Sequence, residues 1–163
     1  LVSEKSGLFL SGFYLFNPRA TNGIRTFRET LSPLLEPESI MSVPDQFSIR
    51  LGMSYQLHPA WSAFGGIRYE GVPVEDIIGS SEGFRRPGNV ISFEPGINWM
   101  NGRWNLNLSV PIAVRRERPQ SITDKEVQEE TGMPRNGDAA FADYLINVGI
   151  TYRIPPKASG IIN

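Results

Sequence analysis

Five charged residues, Arg50, Arg68, Glu70, Glu94 and Arg153, fall at alternate positions of runs that otherwise alternate apolar with small polar residues. Guanidinium and carboxylate groups lining one surface can form a charged constriction that sorts solutes. They can equally form an internal salt-bridge network that fills a narrow interior. Phe64 shares their face, either as an apolar contact for a substrate or as simple packing. Both readings stand until the elements that carry these residues are placed.

Catalytic chemistry is poorly represented. His58 is the only histidine, and it sits beside Pro59 in a predicted turn with no serine or carboxylate placed next to it. A Ser-His hydrolase is therefore not expected. Glu75-Asp76 and Glu129-Glu130 lack the spacing of a cation loop and read as surface charge. There is no cysteine, hence neither a disulfide framework nor a thiolate metal site. No enzyme activity, cofactor or metal is expected. A formal net charge of −1 over 163 residues gives no reason to expect a nucleic-acid partner. Asn107 heads an Asn-Leu-Ser triplet, discounted as a glycosylation site because it falls within a strand.

The elements follow from period-two patterning. In the stretch EPGINWMNGRWNLNLSVPIAV, residues 94–114, Ile97, Trp99, Trp104, Leu106, Leu108 and Ile112 share one face, and Asn98, Asn105, Asn107 and Ser109 the other. Asn101-Gly102 predicts a two-residue hairpin loop. That register sets Trp99 against Trp104, Ile97 against Leu106, Phe93 against Val110, Ile91 against Ile112, Asn98 against Asn105 and Glu94 against Ser109. The hairpin strands span 90–99 and 104–114, and further strands are expected over 144–154, 61–70, 47–57 and 7–16, six in all. The apolar run 7–16 leaves its orientation open. A three-residue loop, His58 to Ala60, keeps the faces of the strands on either side. It puts Arg50 directly opposite Arg68, a repulsive pair unless neutralised, with Glu70 diagonal to Arg50 and Glu94 near Arg68. Pro95 and Pro111 interrupt the strands and imply a local bulge.

Segments 17–46, 71–89 and 115–143 are long and polar, so short turns gather at one end and long loops at the other. Three loop features invite a role. GFRRPG, residues 83–88, places Arg85 and Arg86 on an exposed loop, to bind anionic groups such as lipopolysaccharide phosphates or simply to be solvated. RRER, residues 115–118, invites the same two readings. In 23–39, Ile24, Phe27 and Leu31 recur at helical spacing, giving a short helical gate or an ordinary loop.

Four features bear on whether the apolar face meets lipid or a protein core. Strands of about ten residues, tilted near 40°, cover about 25 Å, the height of a barrel's lipid band. The apolar faces of five strands carry no charge, amide or hydroxyl. Tyr55, Trp61, Trp99, Trp104 and Tyr152 collect at the short-turn end, and Phe47, Tyr69 and Tyr144 at the other, as two interfacial girdles would. None of the three lysines, Lys5, Lys125 and Lys157, lies in those strands. No apolar run reaches the length of a membrane-spanning helix. The expectation is an all-β, antiparallel up-and-down meander forming a transmembrane β-barrel, with a soluble ligand-binding β-barrel as the alternative.

RLGMSYQLHPAWSAFGGIRYEGVPVEDIIGSSEGFRRPG, with EPGINW and the closing YLINVGITYRI, resembles the Gram-negative outer-membrane barrels associated with transport in meta-pathway phenol degradation. The likeness covers about the last two-thirds of the chain. It implies residence in the bacterial outer membrane among lipid and lipopolysaccharide, insertion by the barrel-assembly machinery, and passage of small, often hydrophobic or aromatic, solutes. The closing strand is similar to that family's assembly signal, although PPKASGIIN continues beyond the aromatic. Six strands are fewer than the eight of the smallest single-chain barrels. The chain therefore reads as part of a larger barrel or as one subunit of an oligomeric one, with residues 1–154 the partial barrel and 155–163 a periplasmic tail. A non-conducting structural barrel that presents its loops to partners is the alternative function.

Overall fold

The computed structural model describes residues 4–26, 31–137 and 139–155. In chain order the elements are β1 (Ser6–Leu15), β2 (Thr21–Arg25), a 3-10 helix (Pro33–Ser39), β3 (Ile40–Ser42), β4 (Gln46–His58), β5 (Trp61–Val72), β6 (Gly88–Asn101), β7 (Trp104–Ser109), β8 (Ile112–Glu117), α1 (Ile122–Thr131) and β9 (Asn147–Tyr152). The main sheet runs β1-β4-β5-β6-β7-β9, every pair antiparallel, with β8 continuing β7 alongside β6. This is the six-pass meander read from the alternation, curled into half a barrel. Its order follows from short connections, because consecutive strands joined by tight turns must be neighbours.

The hairpin between β6 and β7 differs from expectation. Asn101 pairs with Trp104, so the loop is Gly102-Arg103. Asn101-Gly102 would need positive φ at both central residues of a type I′ turn, yet no non-glycine residue has positive φ among those described. Within the turn it is Gly102 that has positive φ, at 57°, in the first loop position. Trp99 consequently faces Leu106, Asn98 faces Asn107 and Ile97 faces Leu108, while Phe93 faces Ile112 and Ile91 faces Arg115. Along β7 and as far as Phe93 the slip is two residues, so the faces survive it there; at Ile91 a bulge at Val114 makes it three.

The turn between β4 and β5 is also tighter than expected. His58 pairs with Trp61 across Pro59-Ala60, and a bulge at Leu57 restores the register beyond it.

The two strand prolines fall at interruptions of the ladder. In an antiparallel pair a residue's N–H and C=O point to the same neighbour. The Pro95 carbonyl accepts from the Val110 N–H at 3.0 Å, so its missing donor lies where β7 stops before β8. The Pro111 carbonyl accepts from Leu145 at 3.0 Å, ahead of the start of β9. The bulge near them lies in β8 at Val114, three residues beyond Pro111.

The long connections fold into a polar cap. β2 and β3 pair with each other, and Phe84 joins them: its N–H donates to Ile40 O at 2.7 Å and its carbonyl accepts from Ser42 at 3.1 Å. Of the two readings of 23–39, a helical gate or an ordinary loop, no helix forms at Ile24, which lies in strand β2, and a helical turn comes later, at Pro33–Ser39; Phe27 lies outside the described residues. The helix α1 departs from an all-β chain. Ser121 and Asp124 form a reciprocal capping box, and Gly132 closes the helix in the left-handed region. Phe141 lays its ring where a side chain at Gly88 would stand, bringing the cap onto the sheet.

Candidate functional site

Burial runs opposite to polarity. Leu51 is 57 % and Val148 70 % exposed, and Ile49, Met53, Leu57, Leu108 and Ile150 are likewise exposed. On the other face Ser48, Ser92, Glu94 and Ser109 are buried. Prolines and glycines aside, Val90 and Ala139 are the only buried apolar residues among those described. The concave face of the half-barrel is therefore the polar one.

Strand pairing arranges that face in rows across the sheet. From the short-turn end they read Gln56–Ser62–Asn98–Asn107–Gly149, then Gly7–Ser54–Phe64–Gly96–Ser109–Asn147, then Phe9–Gly52–Gly66–Glu94. Nearer the cap come Ser11–Arg50–Arg68–Ser92–Ala113 and Phe13–Ser48–Glu70–Val90–Arg116. The registry also settles β1: Leu8, Leu10 and Tyr14 pair with the outward residues of β4, whereas Phe9, Ser11 and Phe13 turn inward.

Arg50 and Arg68 are direct cross-strand partners. Their charges are neutralised in separate directions. Arg50 reaches past β5 to Glu94, Nε to Oε2 and Nη2 to Oε1 both at 2.8 Å, a bidentate pair. Gly66, between them on β5, has no side chain to obstruct it. Glu94 is 3 % exposed on its side chain, Arg50 33 %, and Ser109 Oγ donates to Glu94 Oε1 at 2.6 Å. Arg68 turns to Glu70, two residues along its own strand. The expected Glu94–Arg68 contact is thus replaced by Glu94–Arg50. Arg153 stays apart, exposed just beyond β9, where its N–H donates to Arg103 O at 2.9 Å.

Below these pairs is an open hollow of about 270 Å³ lined by Phe9, Arg50, Ser54, Ser62, Phe64, Asn98 and Asn107. The Phe9 and Phe64 rings meet edge to face at 6.0 Å between centroids. The Arg50 guanidinium lies 5.9 Å from the Phe9 centroid. Phe9 escaped sequence reasoning because both faces of β1 are apolar. Asn98 and Asn107 were legible as inward polar residues, but only the corrected register makes them partners.

The aromatics proposed for the girdles lie on the outward face of the strands. Trp61 faces Trp99 with centroids 6.4 Å apart, and Trp104 packs at a tilt against Tyr152 at 4.8 Å. Tyr55 is half-exposed on the same face. At the cap end Phe47 and Tyr69 lie 5.0 Å apart.

The cap holds a second polar cluster that sequence reasoning missed. Asp45 is fully buried. Its carboxylate accepts from Asn17 N–H at 2.7 Å, Tyr14 Oη at 2.9 Å and Ile77 N–H at 3.2 Å. Its own N–H donates to Asp76, which pairs with Arg85 at 2.6 Å. Burial alone raises the Asp45 carboxyl; these three donors and the Arg85 charge outweigh it, leaving the group below the usual carboxylate range. Arg85 is therefore not a free surface cation: it is 4 % exposed and saturates an internal carboxylate. Arg86 lies over the Phe84 ring. Of RRER, Arg115 to Glu117 belong to β8, Arg115 pairing with Glu117 and Arg116 with Asp143. Arg135 ties the cap across the chain, bonding Glu38 at 2.7 Å and Asp124 at 3.0 Å.

Compared with known proteins, the chain matches no family model, no curated protein and no solved structure.

Proposed function

We propose that this chain is part of an outer-membrane β-barrel of a Gram-negative bacterium, with its polar concave face lining a path for small solutes. The observation that carries this reading is the inverted burial. Exposing Leu51, Leu108, Val148 and Ile150 to water would forfeit about 1.5–3 kcal/mol for each side chain. Hydrocarbon removes that cost and forbids charge on the same face. Outer-membrane lipid and lipopolysaccharide are then the surroundings, the barrel-assembly machinery the route of insertion, and Trp61, Trp99, Trp104, Tyr55 and Tyr152 an interfacial girdle. Residues Arg50, Arg68, Glu70, Glu94 and Phe64 line the path, with Arg153 at its short-turn mouth. The resemblance read from the sequence implies small hydrophobic or aromatic compounds as the solutes.

The cap favours a second reading. Its ion pairs, Arg85–Asp76 fully buried and Arg135–Glu38 partly so, lie at the long-loop end, consistent with a structural barrel that conducts nothing and presents loops to partners. Planar-bilayer conductance of the full-length protein separates the two. Discrete channel openings are expected of a solute path, and a complete lack of conductance and solute flux would exclude it.

A further inference from the structure

The concave hollow has a composition that specifies more than passage. Its floor is aromatic. A Cβ at Gly96 would stand 2.1 Å from Phe64 Cζ, and one at Gly52 would stand 2.6 Å from Phe9 Cζ. Each ring therefore lies down over the glycine directly across the ladder from it. Both rings are only half-buried, leaving ring surface toward the hollow.

The wall beside this floor is a ladder of Ser62, Asn98 and Asn107, neighbours across β5, β6 and β7. Among the described residues these three side chains form no hydrogen bond to the protein, and Ser54 makes only a long one, 3.5 Å to Gly7 O. Two amides and two hydroxyls thus present several donors and acceptors within one small space. The charge at the upper edge is already spent, because Arg50 is held bidentately by Glu94.

We infer that this hollow is a binding platform for an uncharged, polyhydroxylated six-membered ring, a pyranose sugar, whose C–H groups pack into the angle between the edge-to-face rings of Phe9 and Phe64 while its hydroxyls bond Ser62, Asn98 and Asn107. A charged solute finds no unpaired counter-charge. A mono-hydroxylated aromatic fills the floor but leaves most of the amide groups without partners, the mismatch that binding sites reject most strongly. The hollow falls below the roughly 300–1,000 Å³ of sites for drug-sized ligands, which suits one ring. The platform rests on the solute-path reading and names a sugar as the solute, in place of the hydrophobic or aromatic compounds that the resemblance implies.

The test uses the full chain folded in detergent micelles, with methyl glucoside as probe and glucuronate and phenol as comparators, read by saturation-transfer NMR and titration calorimetry. Methyl glucoside is expected to bind in the millimolar range, with saturation strongest at its ring C–H protons, and glucuronate and phenol at least fivefold more weakly. Asn98→Leu with Asn107→Leu, and separately Phe9→Leu, should each weaken it at least fivefold while the β-type circular dichroism is kept. No binding by the folded wild-type chain, equal or tighter binding of phenol or glucuronate, or affinity unchanged in both variants would overturn the platform. Binding in micelles needs no pore, so conductance without sugar binding defeats this inference alone, whereas binding without conductance defeats the solute path.

Discussion

Glu94 concentrates the electrostatics of the concave face. It receives two bonds from Arg50 and one from Ser109. Removing its charge strands a partly buried guanidinium, and hydrogen bonds to charged groups are worth about 1.5–3 kcal/mol. Glu94→Gln should therefore lower stability by about 2 kcal/mol, measured by urea unfolding in detergent. Arg50→Met should cost a similar amount, and the double variant much less than the sum, since it removes both charges together. Additive losses would mean the two residues do not act as a pair. Sequence reasoning placed both residues on one face and Arg50 opposite Arg68. It could not choose Glu94's partner, because a flexible arginine reaches both the diagonal neighbour and the next strand but one.

The elements differ in what holds them. Strands β4, β5 and β6 are fixed by cross-strand registry, the cap by polar contacts between segments far apart in sequence. Asp45 joins β1, the approach to β4 and the loop through Ile77. Because its folded pKa is depressed, its contribution is present above the unfolded value of about 3.9 and is lost as pH falls through the lower folded value. Amide exchange at Asn17 and Ile77, corrected for its intrinsic pH dependence, should show protection unchanged from pH 7 to pH 5 and lost below the ordinary carboxylate range. Loss of protection already near pH 6 would point to another group. The strands were legible because alternation over ten residues is a strong signal. The cap was not, since its stability comes from pairs such as Arg135 with Glu38, which have no sequence period. The helix α1 did carry a local sign, the Ser121–Asp124 spacing before Gly132, but its polar composition resembles that of a loop. The two-residue slip at Gly102 was hidden because every face is preserved by an even shift.

At the scale of the molecule, the six-pass sheet leaves β1 and β9 each with one partner among the described strands. Open edges and a broad exposed apolar face are together a liability in water. In a membrane the face is satisfied by lipid, and the edges call for further strands, from the same protein or another copy. The absence of cysteine makes this surface accessible to single-site labelling. Nitroxides placed one at a time at Leu51, Ile97, Leu108 and Val148, and at Ser54, Asn98 and Asn107, in lipid vesicles, give the most direct measurement. The first four should be relaxed strongly by dissolved oxygen and weakly by a water-soluble nickel chelate, and the last three the reverse. High nickel accessibility at Leu51, Ile97, Leu108 and Val148 would place the apolar face in water and contradict the account.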